Sequence, residues 1–130
     1  DGVYSAYVQP TLVANGEPEA AVPSNFNLIT LWGEYSERMS FYGQGAGRYP
    51  TAYNVVQDLA DLLQGKGFYS PYGKLVDVDN SEELTWYVRG DWQGEAAETW
   101  GDAVVTKAVT VEAMHQWLAD HPEAFIAAFQ

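Results

Sequence analysis

The chain of 130 residues predicts an α+β fold, with a mostly antiparallel sheet and two or three helices packed on one face. Three observations lead to this prediction. Segments rich in β-branched and aromatic residues recur along the chain, and short turn signals separate them. Two other segments, near Thr51 and after Thr110, space their apolar residues three and four apart, as an α-helix does. The length suits one domain with one modest core.

The strand predictions rest on alternation and composition. The predicted strands cover residues 3–8 (ended by Pro10), 27–32, 38–42, 83–89 and 103–109. Residues 33–37 predict a hairpin turn between the second and third strands, whereas residues 15–18 and 67–80 predict loops. Two segments stay open. Residues 95–98 favour a short helical turn, and residues 123–129 fit either a short helix or a closing strand.

The helix predictions rest on periodicity and on the residues at each end. The first helix starts at about Thr51, and Gly65 and Gly67 end it. Its apolar positions are Ala52, Val55, Val56, Leu59, Leu62 and Leu63. Thr110 is the predicted cap of a second helix over residues 111–119. Met114, Trp117 and Leu118 are its predicted inward residues.

The composition excludes several classes of function. A formal net charge of −12 and the absence of any basic run argue against nucleic acid and against an acidic membrane surface as partners. The chain has no cysteine, which excludes disulfides and thiolate chemistry and fits a reducing cytoplasm. His115 and His121 lack the four-residue spacing of a helical zinc pair, so no metal site is expected.

Gly43-Gln44-Gly45-Ala46-Gly47 lies between a predicted strand and a predicted helix. Glycine permits positive φ and close approach to the backbone, and a helix N-terminus offers free N–H groups and partial positive charge. The pattern therefore fits a tight packed turn or a site for a phosphate, a carboxylate or a polar ligand edge. The dinucleotide fingerprint is disfavoured, because the glycine spacing differs and no strand with a terminal acidic residue follows.

The longer segment from Phe41 to Leu59 resembles the closing part of the homoserine dehydrogenase catalytic region. That family has a strand, Gly-x-Gly-Ala-Gly, two variable residues, Pro-Thr-Ala, and a helix containing Val-Val-x-Asp-Leu. The matching residues are Gly43, Gly45, Ala46, Gly47, Pro50, Thr51, Ala52, Val55, Val56, Asp58 and Leu59. The segment 8–13, Ala21-Val22 and Asn27 are similar to the family's preceding strand, loop and strand start. The resemblance covers roughly residues 3 to 63.

The resemblance implies a fragment of a larger two-domain dehydrogenase. Homoserine dehydrogenases use NADH or NADPH to reduce aspartate semialdehyde to homoserine, with a Rossmann domain for the cofactor and an α+β domain for substrate and dimerisation. By the resemblance, the backbone of Gly45, Ala46 and Gly47 would line the nicotinamide side of the NAD(P) site, with Thr51 at the nearby helix start. The implied partners are the N-terminal Rossmann and catalytic segment of the same protein and a second copy of the chain.

The family's catalytic pair is an Asp four residues before a Lys, and no such pair occurs in this sequence. We therefore expect no catalytic residue in this chain, no bound cofactor, and no activity from it alone. Because the chain starts at Asp1 without Met, it is expected to be a piece of a longer protein. The parent enzyme is expected to serve threonine and methionine biosynthesis in the cytoplasm.

The predicted division places the closing part of the catalytic and dimerisation domain at residues 1–67 and a C-terminal extension at residues 68–130. Many bacterial homoserine dehydrogenases end in an ACT domain, a βαββαβ regulatory module, and residues 84–89 resemble its first strand. The extension is short for that module and no clear helix follows Arg89. A degenerate ACT-like module that binds an amino acid without catalysis is therefore the alternative function.

Overall fold

The computed structural model describes residues 4–67 and 77–129. In chain order its elements are β1 (Thr11–Leu12), a 3-10 helix (Pro18–Ala21), β2 (Phe26–Gly33), β3 (Glu37–Gln44), α1 (Arg48–Leu63), β4 (Glu83–Leu84), β5 (Trp86–Arg89), β6 (Ala96–Trp100), β7 (Ala103–Thr106), β8 (Val109–Thr110), α2 (Val111–Asp120) and β9 (Phe125–Phe129). The α+β class is confirmed. No helix among these residues is long and apolar enough to cross a membrane.

The chain divides into two compact units, each described by itself. The sheet unit comprises residues 1–14 and 74–130, and the hairpin unit comprises residues 15–73. Residues 4–14 therefore join the sheet unit, although they also belong to the segment that carries the sequence resemblance. The division into 1–67 and 68–130 stays a prediction.

The sheet unit contains a five-stranded sheet in the order β1-β9-β5-β7-β6. Neighbouring strands are antiparallel except β1 and β9, which are parallel, with Thr11 opposite Ala128. The short strands β4 and β8 pair separately. Residues 90–95 connect β5 to β6 without a helix, so α2 is the single helix among residues 77–129. An ACT module, with the element order βαββαβ, has two helices.

The core of the sheet unit lies between α2 and the central strands. Its buried cluster comprises Trp86, Val88, Val111, Met114, Ile126 and Ala128. Trp86 is fully buried, and its indole Nε1 donates a hydrogen bond to the Val109 carbonyl oxygen at 3.0 Å. The Thr110 hydroxyl accepts a hydrogen bond from the Ala113 N–H at 3.2 Å. The predicted second helix and its cap are therefore confirmed.

Three predictions in the sheet unit need correction or completion. The predicted strand over residues 3–8 is wrong where it is described: Tyr4 makes an isolated bridge to Val78, and regular pairing begins after Pro10, at Thr11. Val3 lies outside the described residues. The helical turn predicted over residues 95–98 is wrong, because residues 96–100 pair with β7 as β6. The open segment 123–129 contains a strand, β9.

The long strands predicted over residues 83–89 and 103–109 are each interrupted. Thr85 separates β4 from β5, and residues 107–108 separate β7 from β8. The interruptions let one half of each segment join the five-stranded sheet while the other half forms the β4–β8 pair.

The hairpin unit confirms the predicted hairpin. β2 and β3 are antiparallel in a continuous register that runs from the Phe26–Gln44 pair to the Gly33–Glu37 pair. α1 begins at Arg48, three residues earlier than predicted, and ends before Gly65, whose φ is +73°. None of its residues is buried. The predicted loop over residues 67–80 lies mostly outside the described residues, which resume at Asp77.

A charged cluster ties the 3-10 helix to the hairpin. Arg38 on β3 forms ion pairs with Glu17 and Glu19, and the Thr30 hydroxyl on β2 donates a hydrogen bond to Glu19 at 2.6 Å. The Thr30 hydrogen bond, a backbone hydrogen bond and the Arg38 guanidinium hold the pKa of Glu19 below its ordinary value of 4.5. The ionised carboxylate therefore favours the folded hairpin unit.

Acidification is expected to weaken the hairpin unit through Glu19. A carboxyl group whose folded-state pKa is lowered stabilises the fold above its unfolded pKa, and that contribution is lost as pH falls through the folded pKa. The thermal midpoint of the β2 and β3 amide signals should therefore decrease below pH 4.5, the ordinary pKa. Glu19→Gln should flatten this dependence, whereas Glu34→Gln in the exposed turn should leave it intact. If the thermal midpoint of Glu19→Gln fell with decreasing pH as steeply as that of the unchanged chain, Glu19 could not have this role.

Candidate functional site

The glycine turn, residues 43–47, joins the end of β3 to the start of α1. Asn25 fixes it from the other arm of the hairpin: its carbonyl oxygen accepts a hydrogen bond from the Gly45 N–H at 3.2 Å, and its Nδ2 donates to the Ala46 carbonyl oxygen at 2.7 Å. Asn25 was not among the site residues predicted from the sequence. The hairpin register could have indicated it, because continuing the Phe26–Gln44 pair by one position places Asn25 opposite Gly45.

The turn restricts the residue at two of its three glycine positions. A Cβ at Gly45 would lie 1.6 Å from the Asn27 amide nitrogen, so the Asn27 side chain would have to move. Gly47 has φ +122° and ψ 159°, a region that is essentially restricted to glycine. Around Gly43, by contrast, an added Cβ would meet nothing within 4 Å. The tight-turn explanation therefore accounts for Gly45 and Gly47, and the fold has no need of glycine at position 43.

The helix start differs from the prediction at Thr51. Gly47 is the N-cap residue, and the Thr51 N–H donates to the Gly47 carbonyl oxygen at 3.1 Å. Thr51 thus occupies the fourth helical position and cannot cap the helix, because its own N–H is already inside the hydrogen-bond ladder. Pro50 occupies the third position, where its missing N–H costs nothing.

The turn presents hydrogen-bond donors. Among the residues that the structure describes, no acceptor is hydrogen-bonded to the backbone N–H groups of Gly47, Arg48 or Tyr49. Arg48 adds a guanidinium, which lies 4.7 Å from the centroid of the Tyr49 ring and donates to the Tyr49 hydroxyl at 2.8 Å. Arg48 makes no ion pair with a described carboxylate, whereas Arg38 and Lys66 both do. This end of α1 is therefore suited to an anionic or carbonyl oxygen.

A groove of about 280 Å³ lies beside the turn. Its lining residues are Asn27, Ile29, Phe41, Tyr42, Gly43, Gln44 and Gly45. Of the four residues proposed from the sequence, Gly45 lines this groove, while Ala46, Gly47 and Thr51 lie on the helix side of the turn. Asn27 and Arg48 are candidate site residues that the sequence analysis missed, because their placement depends on the hairpin and on the helix start.

The two histidines have separate partners. His115 Nε2 lies 3.1 Å from Gln9 Oε1, and His121 Nδ1 lies 2.8 Å from the Trp117 carbonyl oxygen. Across residues 4–67 and 77–129, no group of three His, Asp or Glu side chains is arranged to hold a metal ion.

Comparisons with known proteins give one consistent family. Residues 2–60 match the model of the family described as homoserine dehydrogenase. The homoserine dehydrogenase of Bacillus subtilis is 44% identical over 57 residues, which cover 44% of this chain and 13% of that protein. The homoserine dehydrogenase of Corynebacterium glutamicum is 38% identical over 89 residues, which cover 64% of this chain and 20% of that protein. These matches confirm the resemblance.

A relative from Pseudomonas canavaninivorans, named NAD(+)-dependent homoserine dehydrogenase, is 34% identical over 64 residues, which cover 49% of this chain and 18% of that protein. The chain thus spans a fifth or less of the length of these three relatives. The similarity to the Corynebacterium protein covers 64% of the chain and so continues past residue 60, where the family match ends. No solved structure matches the chain.

Proposed function

We propose that the chain, whose residues 2–60 match the homoserine dehydrogenase family model, is part of an enzyme that interconverts L-homoserine and L-aspartate 4-semialdehyde with NAD(P). The observation that carries the proposal is the glycine turn, which lies in the matched segment and presents, at the start of α1, N–H groups that bond to no described acceptor. The parent enzyme would act in the cytoplasm, in threonine and methionine biosynthesis.

The turn would contribute backbone groups to the cofactor site. Bound NAD(P) would supply or accept the hydride at its nicotinamide ring. Gly45, Ala46 and Gly47 would face that ring through their backbone, with Thr51 one helical turn away. The turn fits NAD(P) in two respects. The backbone N–H groups of residues 47–49, which bond to no described acceptor, suit the carboxamide or phosphate oxygens of the cofactor. The open space beside Gly43 would let the cofactor approach the backbone closely.

The catalytic acid and the substrate carboxylates would come from an N-terminal Rossmann and catalytic segment of the same protein. The exposed apolar side of α1 supports this partner. Val55, Val56, Leu59, Leu62 and Leu63 are each more than half exposed. Contiguous exposed apolar residues mark interaction surfaces, because burying them is favourable.

The hairpin supports the second proposed partner, another copy of the chain. On one face of β2 and β3, Ile29 pairs with Phe41 and Leu31 with Met39, and all four side chains are between 45% and 61% exposed. Because an isolated two-stranded hairpin is marginally stable in water, this face is expected to be covered in the assembled enzyme. A homodimer formed through this face is the proposed arrangement.

A segment exchange tests the proposed function. Residues 2–60 would replace the matching segment of the Bacillus subtilis homoserine dehydrogenase, with which the chain shares 44% identity over 57 residues. We expect the chimera to oxidise L-homoserine with NAD(P), at a kcat/KM within about tenfold of the parent, because backbone contributions tolerate side-chain differences. The measurement is the absorbance of the reduced nicotinamide.

Two control proteins complete the experiment. The 130-residue chain alone should show no NAD(P)-dependent rate, and a measurable rate would disprove the assignment of the catalytic groups to another segment. A second chimera that receives the 59 residues in scrambled order should be inactive. A folded first chimera that binds NAD(P) but lacks activity would contradict the proposed function.

A further inference from the structure

A cavity of about 400 Å³ has no role in the proposed function, because its lining residues belong to the sheet unit and the glycine turn belongs to the hairpin unit. Its lining residues are Tyr7, Gln9, Thr11, Glu82, Leu84, Ala128 and Phe129. Residues 7–11 belong to the family-matched segment, whereas the other lining residues lie beyond it. The cavity is therefore built jointly by the matched segment and the rest of the chain.

Hydrogen bonds hold the wall formed by residues 4–12 in place at both ends. The Tyr4 carbonyl oxygen accepts from the Asp79 N–H at 3.2 Å, and the Ala6 N–H donates to Asn80 Oδ1 at 2.8 Å. At the other end, the Pro10 carbonyl oxygen accepts from the Ala128 N–H at 3.0 Å. The cavity is thus preformed, which lowers the entropy cost of binding a ligand there.

The polar lining carries one negative charge. The Tyr7 hydroxyl donates a hydrogen bond to Glu82 Oε2 at 3.0 Å, and the second carboxylate oxygen of Glu82 has no hydrogen-bond partner among residues 4–67 and 77–129. Burial, followed by this hydrogen bond, raises the pKa of Tyr7, so the phenol stays a neutral donor at physiological pH. Among the lining residues that the structure describes, none is Lys or Arg.

We propose that this cavity binds a small primary amine that carries no carboxylate. Its ammonium would donate to Glu82, its short carbon chain would lie against Leu84 and Phe129, and the Gln9 amide and Thr11 hydroxyl would accept or donate further hydrogen bonds. An α-amino acid fits less well, since its carboxylate would face the charge of Glu82, and no described lining residue is cationic and could balance it.

The test is an amide chemical-shift titration of the 15N-labelled 130-residue chain with n-propylamine, and separately with L-threonine. We expect saturable shifts from n-propylamine at residues 7–9, 11, 82–84 and 128–129, and no saturation there from L-threonine over the same concentrations. Glu82→Gln, which keeps the side-chain shape, should weaken n-propylamine binding about three- to tenfold. Glu83→Gln is the matched control, because this neighbouring carboxylate does not line the cavity.

Three outcomes would overturn the inference. They are the absence of saturable shifts at the lining residues, equal binding of L-threonine and n-propylamine, and equal effects of Glu82→Gln and Glu83→Gln. The second outcome would favour the alternative amino-acid-binding function. The chimera receives residues 2–60 only and lacks Glu82 and Phe129 of the cavity, so its activity tests the proposed function separately from amine binding.

Discussion

Trp86→Ala is expected to destabilise the sheet unit by about 3–5 kcal/mol, the range for removing a fully buried large aromatic side chain. Trp86 is 0% exposed and belongs to the cluster that joins β5, β9 and α2. Truncation would leave a cavity at the centre of that cluster and would remove the hydrogen bond to the Val109 carbonyl oxygen. A loss of this size is a large part of the stability of a small domain, so the sheet unit should unfold near physiological temperature.

Two further variants separate the effect of the lost hydrogen bond from that of the lost apolar volume, and test whether the effect is specific to the sheet unit. Trp86→Phe keeps most of the apolar volume but leaves the Val109 carbonyl oxygen without its indole donor, and should cost about 1–3 kcal/mol. Trp32→Ala removes a 61% exposed indole from the hairpin unit and should leave the sheet unit unchanged. Urea unfolding followed by far-UV circular dichroism and by the amide signals of β5 and β7 measures all three. A Trp86→Ala loss below about 1 kcal/mol would contradict the assigned core.

The sequence predicted the elements whose signals are local. The β2–β3 hairpin follows from a short turn between two strand-like segments, and both helices follow from apolar spacing together with glycine or threonine at their ends. The glycine turn was located for the same reason. Such features depend on neighbours within about ten residues, which a single sequence displays directly.

The elements and site residues that were not predicted from the sequence depend on partners that are distant in the chain. β1 pairs with β9, where Thr11 lies opposite Ala128, and no pattern around Thr11 indicates that partner. Residues 95–98 contain Glu and Ala, which favour a helix, yet pairing with β7 makes residues 96–100 a strand. At the site, Asn25 and Asn27 contact the turn through the hairpin register, so composition alone could not identify them.

The β1–β9 pairing also connects the family-matched residues 2–60 with the C-terminal part of the chain. Residues 11–12 lie within the match to homoserine dehydrogenase, whereas β9 lies beyond it, and the two strands belong to one sheet. The C-terminal residues therefore complete a sheet that begins in the family segment. A truncation after residue 67 would remove every sheet partner of β1 and the whole buried cluster, Trp86 included.

Gly47→Ala is expected to disrupt the start of α1, at a cost of about 1–3 kcal/mol. At φ +122° and ψ 159° an alanine is strained, and its Cβ would also lie 3.3 Å from the Asn25 amide nitrogen, which holds the Ala46 carbonyl oxygen. The backbone must leave this conformation, and the first turn of α1 should fray. Faster amide hydrogen exchange near residues 51–53, compared with the unchanged chain, is the measurement.

Gly43→Ala is the matched control, and it separates what the fold requires from what a ligand requires. Because an added Cβ at Gly43 meets no atom within 4 Å, this variant should change stability by less than about 1 kcal/mol in the isolated chain. In the chimera that carries residues 2–60, Gly47→Ala should lower kcat/KM more than about tenfold, since it displaces the backbone N–H groups of residues 47–49. Gly43→Ala should raise the KM for NAD(P) and leave the thermal midpoint unchanged, because the added methyl group would occupy the space proposed for the cofactor. If Gly47→Ala retained both the helix start and full activity, the turn could not be the backbone contribution proposed for the site.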